Sequence, residues 1–417
     1  MFRFTTAGES HGKGLVIIVE GVPAGLPISA AWVDHDLGRR MQGYGRGARM
    51  KIEQDRIEWL AGVRAGETLG SPIAMLIHNR DWANWEDVMA AEGSGELRRR
   101  RVTRPRPGHA DLVGVLKYDR LDARDILERA SARETAARVA AGAVARRLLD
   151  EFGIEIGSHL VSLGGIRASA PAPLPTPLNA ASDASAVRTL DAAAEAEMIA
   201  RIDRAKKDGD TLGGEIEVVA RGLPVGLGSH VSWDRKLDGR LAGMLMSIPA
   251  VKGVEIGMGF EAARRPGSAV HDPIVAEGAD VGAHHAAPIR TAPSAHGGFR
   301  RVGNNAGGLE GGMTTGEPLV VRVAMKPIST LMSPLKTVNL TTGAEANAQS
   351  ERSDVTAVPA MGVIAEALVA LVLAEAMLEK FGGDSLGETR RNVEGYLAAA
   401  GQRWAALAGE PDLSEDG

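Results

Sequence analysis

The sequence predicts an α+β or layered α/β protein on three observations: two strong helical segments toward the ends of the chain, several short strand-like runs, and no repeat of fixed period. Residues 15–19 and 73–77 are apolar runs bounded by Gly or Pro, and residues 215–220 alternate in character, so all three read as strands. Residues 125–152 are rich in Ala, Arg, Glu and Leu and close on Gly153, which predicts one long helix with a glycine stop. The stretch 168–191 is rich in Ala, Pro and Ser and reads as an exposed excursion dispensable for chemistry. A second helix is predicted over 359–381, closing on Gly382 and Gly383. Residues 1–408 are expected to form a single domain, with 409–417 a flexible acidic tail.

With 417 residues and an apolar share of 44%, the chain can fill an extensive core. It has no cysteine, which excludes disulfides and thiolate metal sites and suits a reducing compartment. A net charge of -5 gives no reason to expect nucleic acid or an anionic membrane as partner. The N-terminus lacks the charged and apolar regions of a signal peptide, no stretch is expected to span a membrane, and a cytoplasmic location is inferred. Glycine is abundant and aromatic residues are scarce, so backbone amides and cations are the expected ligand holders.

Five constellations could carry chemistry. Residues 8–12 (GESHG) hold His11 in a glycine-flanked turn, and residues 104–111 (RPRPGHAD) present Arg104, Arg106 and His109 on a segment stiffened by proline. A tight hairpin and a basic surface loop are the competing readings, and Arg98 to Arg101 read as a solvated run. Arg39, Arg40, Arg46, Arg49, Arg129 and Arg133 favour phosphate or carboxylate if they meet in one cavity. Arg129 and Arg133, four apart, are expected on one helical face, with salt bridges to Glu128 and Glu134 as the alternative. Residues 304–313 (NNAGGLEGGM) followed by Lys326-Pro327-Ile328-Ser329-Thr330 expose amides and a cation, in neither Walker nor Rossmann spacing. Arg352 and Asp354 add a cation and a carboxylate. Together these describe a cation-rich cavity with two histidines, one carboxylate, no metal-ligand cluster and no obvious nucleophile, suited to a polyanionic substrate and proton transfer. Composition and spacing stop there.

The motifs GESHG at 8–12, RPGHAD at 106–111, RASARETAARVAAGAVA at 129–145, MSIPAVKGVEIGMGF at 246–260, NNAGGLEGGMTTGEP at 304–318, KPIST at 326–330 and RSDVTAVPA at 352–360 occur in one order, and the sequence resembles the chorismate synthase family over nearly its whole length. The resemblance implies a layered β-α-β sandwich with internal pseudo-symmetry, assembled as a homotetramer. It implies a 1,4-anti elimination of phosphate from 5-enolpyruvylshikimate 3-phosphate that gives chorismate and requires reduced FMN without net redox change.

By the same resemblance His11 would give a proton to the flavin, His109 would protonate the departing phosphate, and Asp354 would assist removal of the C6 proton. Arg40, Arg46, Arg49, Arg106 and Arg133 would surround the substrate, with Arg352 touching both ligands. Arg129, Ala130, Ser131, Pro249, Ala250, Gly311 and residues Lys326 to Thr330 would hold FMN, Pro249 standing where the family has a polar residue. An external flavin reductase is implied, NADPH serving only indirectly. Residues 93–101 and 168–191 depart from shorter family members. An FMN-dependent oxidoreductase or flavin reductase, and a non-enzymatic binder of phosphorylated ligands, are the competing readings.

Overall fold

The computed structural model describes residues 2–47, 54–92, 100–276, 298–350 and 354–407. Arg49, Arg352, Arg98 and Arg99, most of the 93–101 insertion and the tail 409–417 lie outside the described residues.

Two antiparallel sheets form the outer layers. The first comprises β1 (Arg3–Ala7), β2 (Gly14–Glu20), β3 (Ile57–Ala61) and β4 (Ile73–His78) in the order β1-β2-β4-β3. The second comprises β5 (Glu155–Leu163), β6 (Ile166–Arg167), β7 (Gly214–Arg221), β8 (Val251–Ile256) and β9 (Leu319–Met325) in the order β8-β9-β7-β5-β6. The three strands read from the sequence lie within β2, β4 and β7. Alternation explains them: Leu15, Ile17 and Val19 of β2 are fully buried while Val16 and Ile18 face outward.

Helices fill the space between the sheets. α1 (Ala30–Met41) begins at Ser29, whose hydroxyl accepts the Trp32 N–H. α2 (Asp111–Lys117) and α3 (Arg124–Ala130) are short, and α4 (Thr135–Asp150) is buried along most of its length against β2. α5 (Leu178–Ser182) edges β5, α6 (Ala192–Asp208) runs near β6, and α7 (Leu237–Met246) packs on β8. α8 (Val358–Phe381) is apolar all round and lies between α4 and the second sheet, and α9 (Leu386–Leu407) follows it. Its length and composition equal those of a membrane span, against the expectation from sequence, but its surface is buried in the protein. The α4 and α8 axes approach closely at Gly142, where a Cβ would stand 2.4 Å from the Ala367 Cβ.

Two expectations are corrected. The helix read over 125–152 is broken: Ser131 is extended (φ -67°, ψ 144°), ends α3 and caps a 3-10 turn, Ala132–Glu134, before α4 begins. The excursion at 168–191 is not wholly exposed, because Leu178, Ser182, Val187 and Arg188 are buried. Asn179, Asp183 and Arg188 instead join a buried ionic network.

That network centres on Glu366, which α8 carries into the core fully buried. Its carboxylate accepts from Arg39 at 2.8 and 3.1 Å, Arg146 at 2.6 Å, Arg188 at 2.9 Å, Ser158 at 2.6 Å and Asn179 at 3.1 Å. Asp36 and Asp183 take further contacts from Arg39, Arg146 and Arg188. Burial alone would push the Glu366 carboxyl up, but the charges of Arg39, Arg146 and Arg188 hold it well below the usual carboxylate range. At Asp36 burial is overcome by the charge of Arg146, the His35 hydrogen bond and the charge of Arg39.

Glu366→Gln leaves three buried guanidiniums facing one another and is expected to cost about 3–5 kcal/mol in urea unfolding. Because the folded state depresses the Glu366 and Asp36 carboxyls, their stabilisation is present above the ordinary carboxylate range near pH ~4 and is lost progressively below it. A denaturation midpoint equal at pH 7 and pH 3 would refute this account.

Candidate active site

The break at Ser131 has a chemical result. Arg129 and Arg133 do not share a helical face, since one ends α3 and the other lies in the 3-10 turn. Arg129 donates to the Thr6 carbonyl and hydroxyl at 2.9 and 2.8 Å and to the Gly8 carbonyl at 3.2 Å, while Arg133 turns inward. Neither pairs with Glu128 or Glu134: Glu134 binds Arg138, and Glu128 serves His11 and Arg124. At the break the Ser131 hydroxyl meets that of Ser10 at 3.3 Å, which brings the GESHG loop beside Ala130 and Ser131.

Arg40, Arg46 and Arg133 converge. Arg133 contacts the buried Asp55 at 2.5 Å and Asn79 at 3.0 Å, and Arg40 reaches the second Asp55 oxygen at 3.7 Å while donating to Thr135. Arg46 donates to the Arg40 carbonyl at 3.2 Å and pairs with Asp354 at 2.8 Å, whose other oxygen accepts the Gly47 N–H at 2.6 Å. Burial, only partly offset by Asp55, and the like charges of Arg46 and Arg133 push the Arg40 guanidinium down to about 10. Three guanidiniums are thus gathered around two carboxylates, Asp55 and Asp354. Arg39, by contrast, points to Glu366 and belongs to the core.

Asn79 ties this cluster to the first motif, donating to the Glu9 and Gly12 carbonyls at 3.0 and 2.7 Å. His11 there is held by Glu128, which accepts its backbone N–H at 2.9 Å and contacts Nδ1 at 2.9 and 3.0 Å. The ring stacks on Trp85 at 3.9 Å. His109 is held in the same way: Nδ1 lies 2.5 Å from Asp111, whose carboxylate also takes the Arg106 fork at 2.8 and 3.1 Å. Burial pushes the Asp111 carboxyl up, but the His109 and Arg106 hydrogen bonds outweigh it and hold it well below the usual carboxylate range. A carboxylate thus fixes Nδ1 of each imidazole.

The RPGHAD segment packs on the KPIST segment. Arg106 donates to the Thr330 hydroxyl at 3.0 Å, and Lys326 to the Gly108 carbonyl at 2.7 Å. A Cβ placed on Gly108 would stand 3.7 Å from Ser329. The Ile328 carbonyl accepts from Thr211, while Leu212 donates to Val355 and Val355 to Gly45, which closes the circuit to Arg46 and Asp354. Pro327 abuts Gly213. The Lys326 N–H bonds the Ala250 carbonyl at 3.0 Å, so Pro249 and Ala250 adjoin this edge, Ala250 in the left-handed region at φ 69°. Burial and the nearby Lys252 push the Lys326 ammonium down.

Most residues singled out from the sequence therefore belong to one chain of contacts, from the GESHG loop through the arginines to Lys326. Gly311 does not: its hairpin packs beside Gly228 and Leu237, at the opposite end of β9 from Lys326, seven residues or roughly 20 Å of strand away. Arg49 and Arg352 lie outside the described residues. Sequence reasoning missed Asp55, Asn79, Trp85 and the holding roles of Glu128 and Asp111. Asp111 was visible in the RPGHAD motif, two residues from His109, whereas Asp55 and Asn79 stand in stretches without local signal.

Residues 2–378 match the family model described as chorismate synthase. The chain belongs to the chorismate synthase family. It is 57% identical over 397 residues to the chorismate synthase of Geobacter sulfurreducens, covering 95% of this chain and 98% of that relative. It is 58% identical over 406 residues to the one from Streptomyces coelicolor, covering 95% and 98%. A solved structure described as a crystal structure of chorismate synthase superposes with a TM-score of 0.75 at 43% identity, covering 96% of this chain and 98% of that one. The family fold expected from sequence, two sheets enclosing helices, is the fold observed.

If the arginine cluster is an anion site, millimolar inorganic phosphate should raise the thermal midpoint of the ligand-free protein, less so in high salt. Loss of the shift in Arg133→Ala is expected, and an equal shift in that variant would place the phosphate elsewhere.

Proposed function

We propose that this protein is a chorismate synthase, a carbon–oxygen lyase that eliminates phosphate from 5-enolpyruvylshikimate 3-phosphate. The observation that carries the reading is a set of cations and histidines each held by a carboxylate: Arg40 and Arg133 on Asp55, Arg46 on Asp354, Arg106 and His109 on Asp111, and His11 on Glu128. The substrate has two carboxylates and a phosphate, and guanidiniums match such oxygens in bidentate geometry. Because the arginines are fixed by Asp55, Asp111, Asp354 and Thr135 before any ligand arrives, little reorganisation remains for the reaction.

Reduced FMN fits beside this site. Lys326 and Lys252 are like charges that a flavin phosphate would relieve, and Arg129, Ala130, Ser131, Pro249, Ala250 and Lys326 to Thr330 are the residues that would hold the flavin. When bound, the reduced flavin would supply electron density to the breaking carbon–oxygen bond. Arg352 would touch both ligands and Arg49 the substrate. Gly311, remote within the chain, would reach a flavin only from a neighbouring copy, in keeping with a homotetramer.

In the elimination the C6–H bond breaks and its pair forms a C6=C1 double bond, the ring's C1=C2 pair shifts to C2=C3, and the C3–O bond breaks with its pair leaving on phosphate. His109, its Nδ1 on Asp111, donates from Nε2 to the departing phosphate oxygen. Asp354, held by Arg46 and the Gly47 N–H, assists removal of the C6 proton. His11, held by Glu128, would give a proton to the flavin when it is bound. A separate reductase supplies the reduced flavin in the cytoplasm, NADPH acting there and not at this site.

The deciding assay is anaerobic: protein, photoreduced FMN and 5-enolpyruvylshikimate 3-phosphate, with chorismate absorbance and phosphate release followed against an oxidised-FMN control. Equal release of both products with reduced flavin alone is expected; flavin binding without elimination, or rapid NADPH oxidation, would replace this reading with an oxidoreductase. His109→Ala should lower turnover on the order of a hundredfold while both ligands still bind. Arg133→Ala should weaken substrate binding by roughly a kcal/mol or more, the scale of a charged hydrogen bond left unmade.

A further inference from the structure

The proton roles of the two histidines leave one arrangement unused, on the far side of His11 from any ligand. Glu128, 2% exposed, grips the 10–11 turn at three points: its carbonyl accepts the Ser10 N–H at 3.0 Å, and its carboxylate takes the His11 N–H and ring Nδ1. Arg124, itself buried, donates to Glu128 Oε1 at 2.9 Å and to the Arg100 carbonyl at 2.8 Å. The other wall is Trp85, stacked on the imidazole at 27° and flanked by the Arg124 and Arg100 guanidiniums at 4.9 and 4.5 Å from its ring. The imidazole is thus fixed both along its Nδ1 axis and in its plane.

We infer that Glu128 is a positioning residue for His11, with Arg124 orienting the carboxylate and Trp85 fixing the ring plane, so that Nε2 alone delivers the proton. This rests on the reading of His11 as a proton donor. Two features support it. Burial alone would raise the Glu128 carboxyl, but the His11 hydrogen bond and charge, with Arg124, keep it below the usual carboxylate range, so Glu128 remains an acceptor that does not compete for the proton. The same Nδ1-to-carboxylate arrangement recurs at His109 and Asp111, on different elements and with a different arginine attending.

Glu128→Gln is the discriminating variant. Nδ1 faces both carboxylate oxygens, at 2.9 and 3.0 Å, so in either setting of the amide it meets an NH2 donor where the carboxylate offered only acceptors. In ligand-free protein labelled with nitrogen-15 histidine, neutral His11 should therefore shift from the Nδ1–H toward the Nε2–H tautomer, an effect that a merely structural role would not produce. Turnover with reduced FMN should fall about 10- to 100-fold, the range typical of a lost orienting partner, with KM within about twofold of wild type.

The double variant Glu128→Gln/His11→Ala should be no slower than His11→Ala alone, because the glutamate acts through the ring. Equal losses in both backgrounds, or an unchanged tautomer, would overturn the inference. A fully active His11→Ala would instead overturn the donor role itself. Should the Gln variant fail to fold, Glu128→Asp keeps the charge but withdraws it by one methylene. It is expected to show the same split between kcat and KM, and wild-type turnover there would equally refute the assignment.

Discussion

The site depends on the buried ion network around Glu366, because that network fixes the orientation of α1. Arg39 and Arg40 are neighbours on the last turn of this helix and point about 100° apart around its axis. Arg39 is spent on Glu366, Asp36 and Asp183, which anchors the helix end to α8 and α5. Arg40 is thereby delivered, buried and cationic, to Asp55 and Thr135. An apolar core alone would tolerate small rotations of α1, whereas a bidentate guanidinium on a carboxylate does not. The desolvation of so many charges makes the network weak evidence for stability in itself. Its directional geometry accounts for the placement of the site.

The same logic repeats at the site, where cations and histidines are held from behind by carboxylates. Asp55 holds Arg133 and Arg40, Asp111 holds Arg106 and His109, Asp354 holds Arg46, and Glu128 holds His11. A buried guanidinium without such a partner would cost several kcal/mol in lost solvation before any ligand bound. With the partner present, the cation's orientation is already fixed.

Legibility from sequence followed the range of the interactions. The strands at β2, β4 and β7 and the end of α8 at Gly382 were legible because side-chain alternation and glycine stops are local signals. The break at Ser131 was not, since the surrounding Ala, Arg and Glu favour helix at every position and tertiary contacts with Ser10 and Asp55 decide otherwise. The 168–191 stretch misled because its composition is that of a linker, while Asn179 and Arg188 are drawn inward by a glutamate nearly two hundred residues away. Histidines and arginines in stiff, glycine-flanked motifs announced the site. Among the residues that hold them, Asp111 and Asp354 lie in those motifs, whereas Asp55 and Asn79 became visible only as neighbours in space.

This division of labour also reconciles an acidic protein with a cationic cavity. The net charge of -5 is compatible with a polyanionic substrate because carboxylates such as Asp55 and Asp111 lie behind the cations, leaving donors toward the ligand. Elimination divides the substrate's charge between two product anions, each held by fewer contacts than the intact substrate. Cations already partly neutralised by fixed carboxylates bind those fragments less tightly than bare cations would, which favours release. The buried acids thus act twice, first aiming the arginines and then limiting how strongly they retain the products.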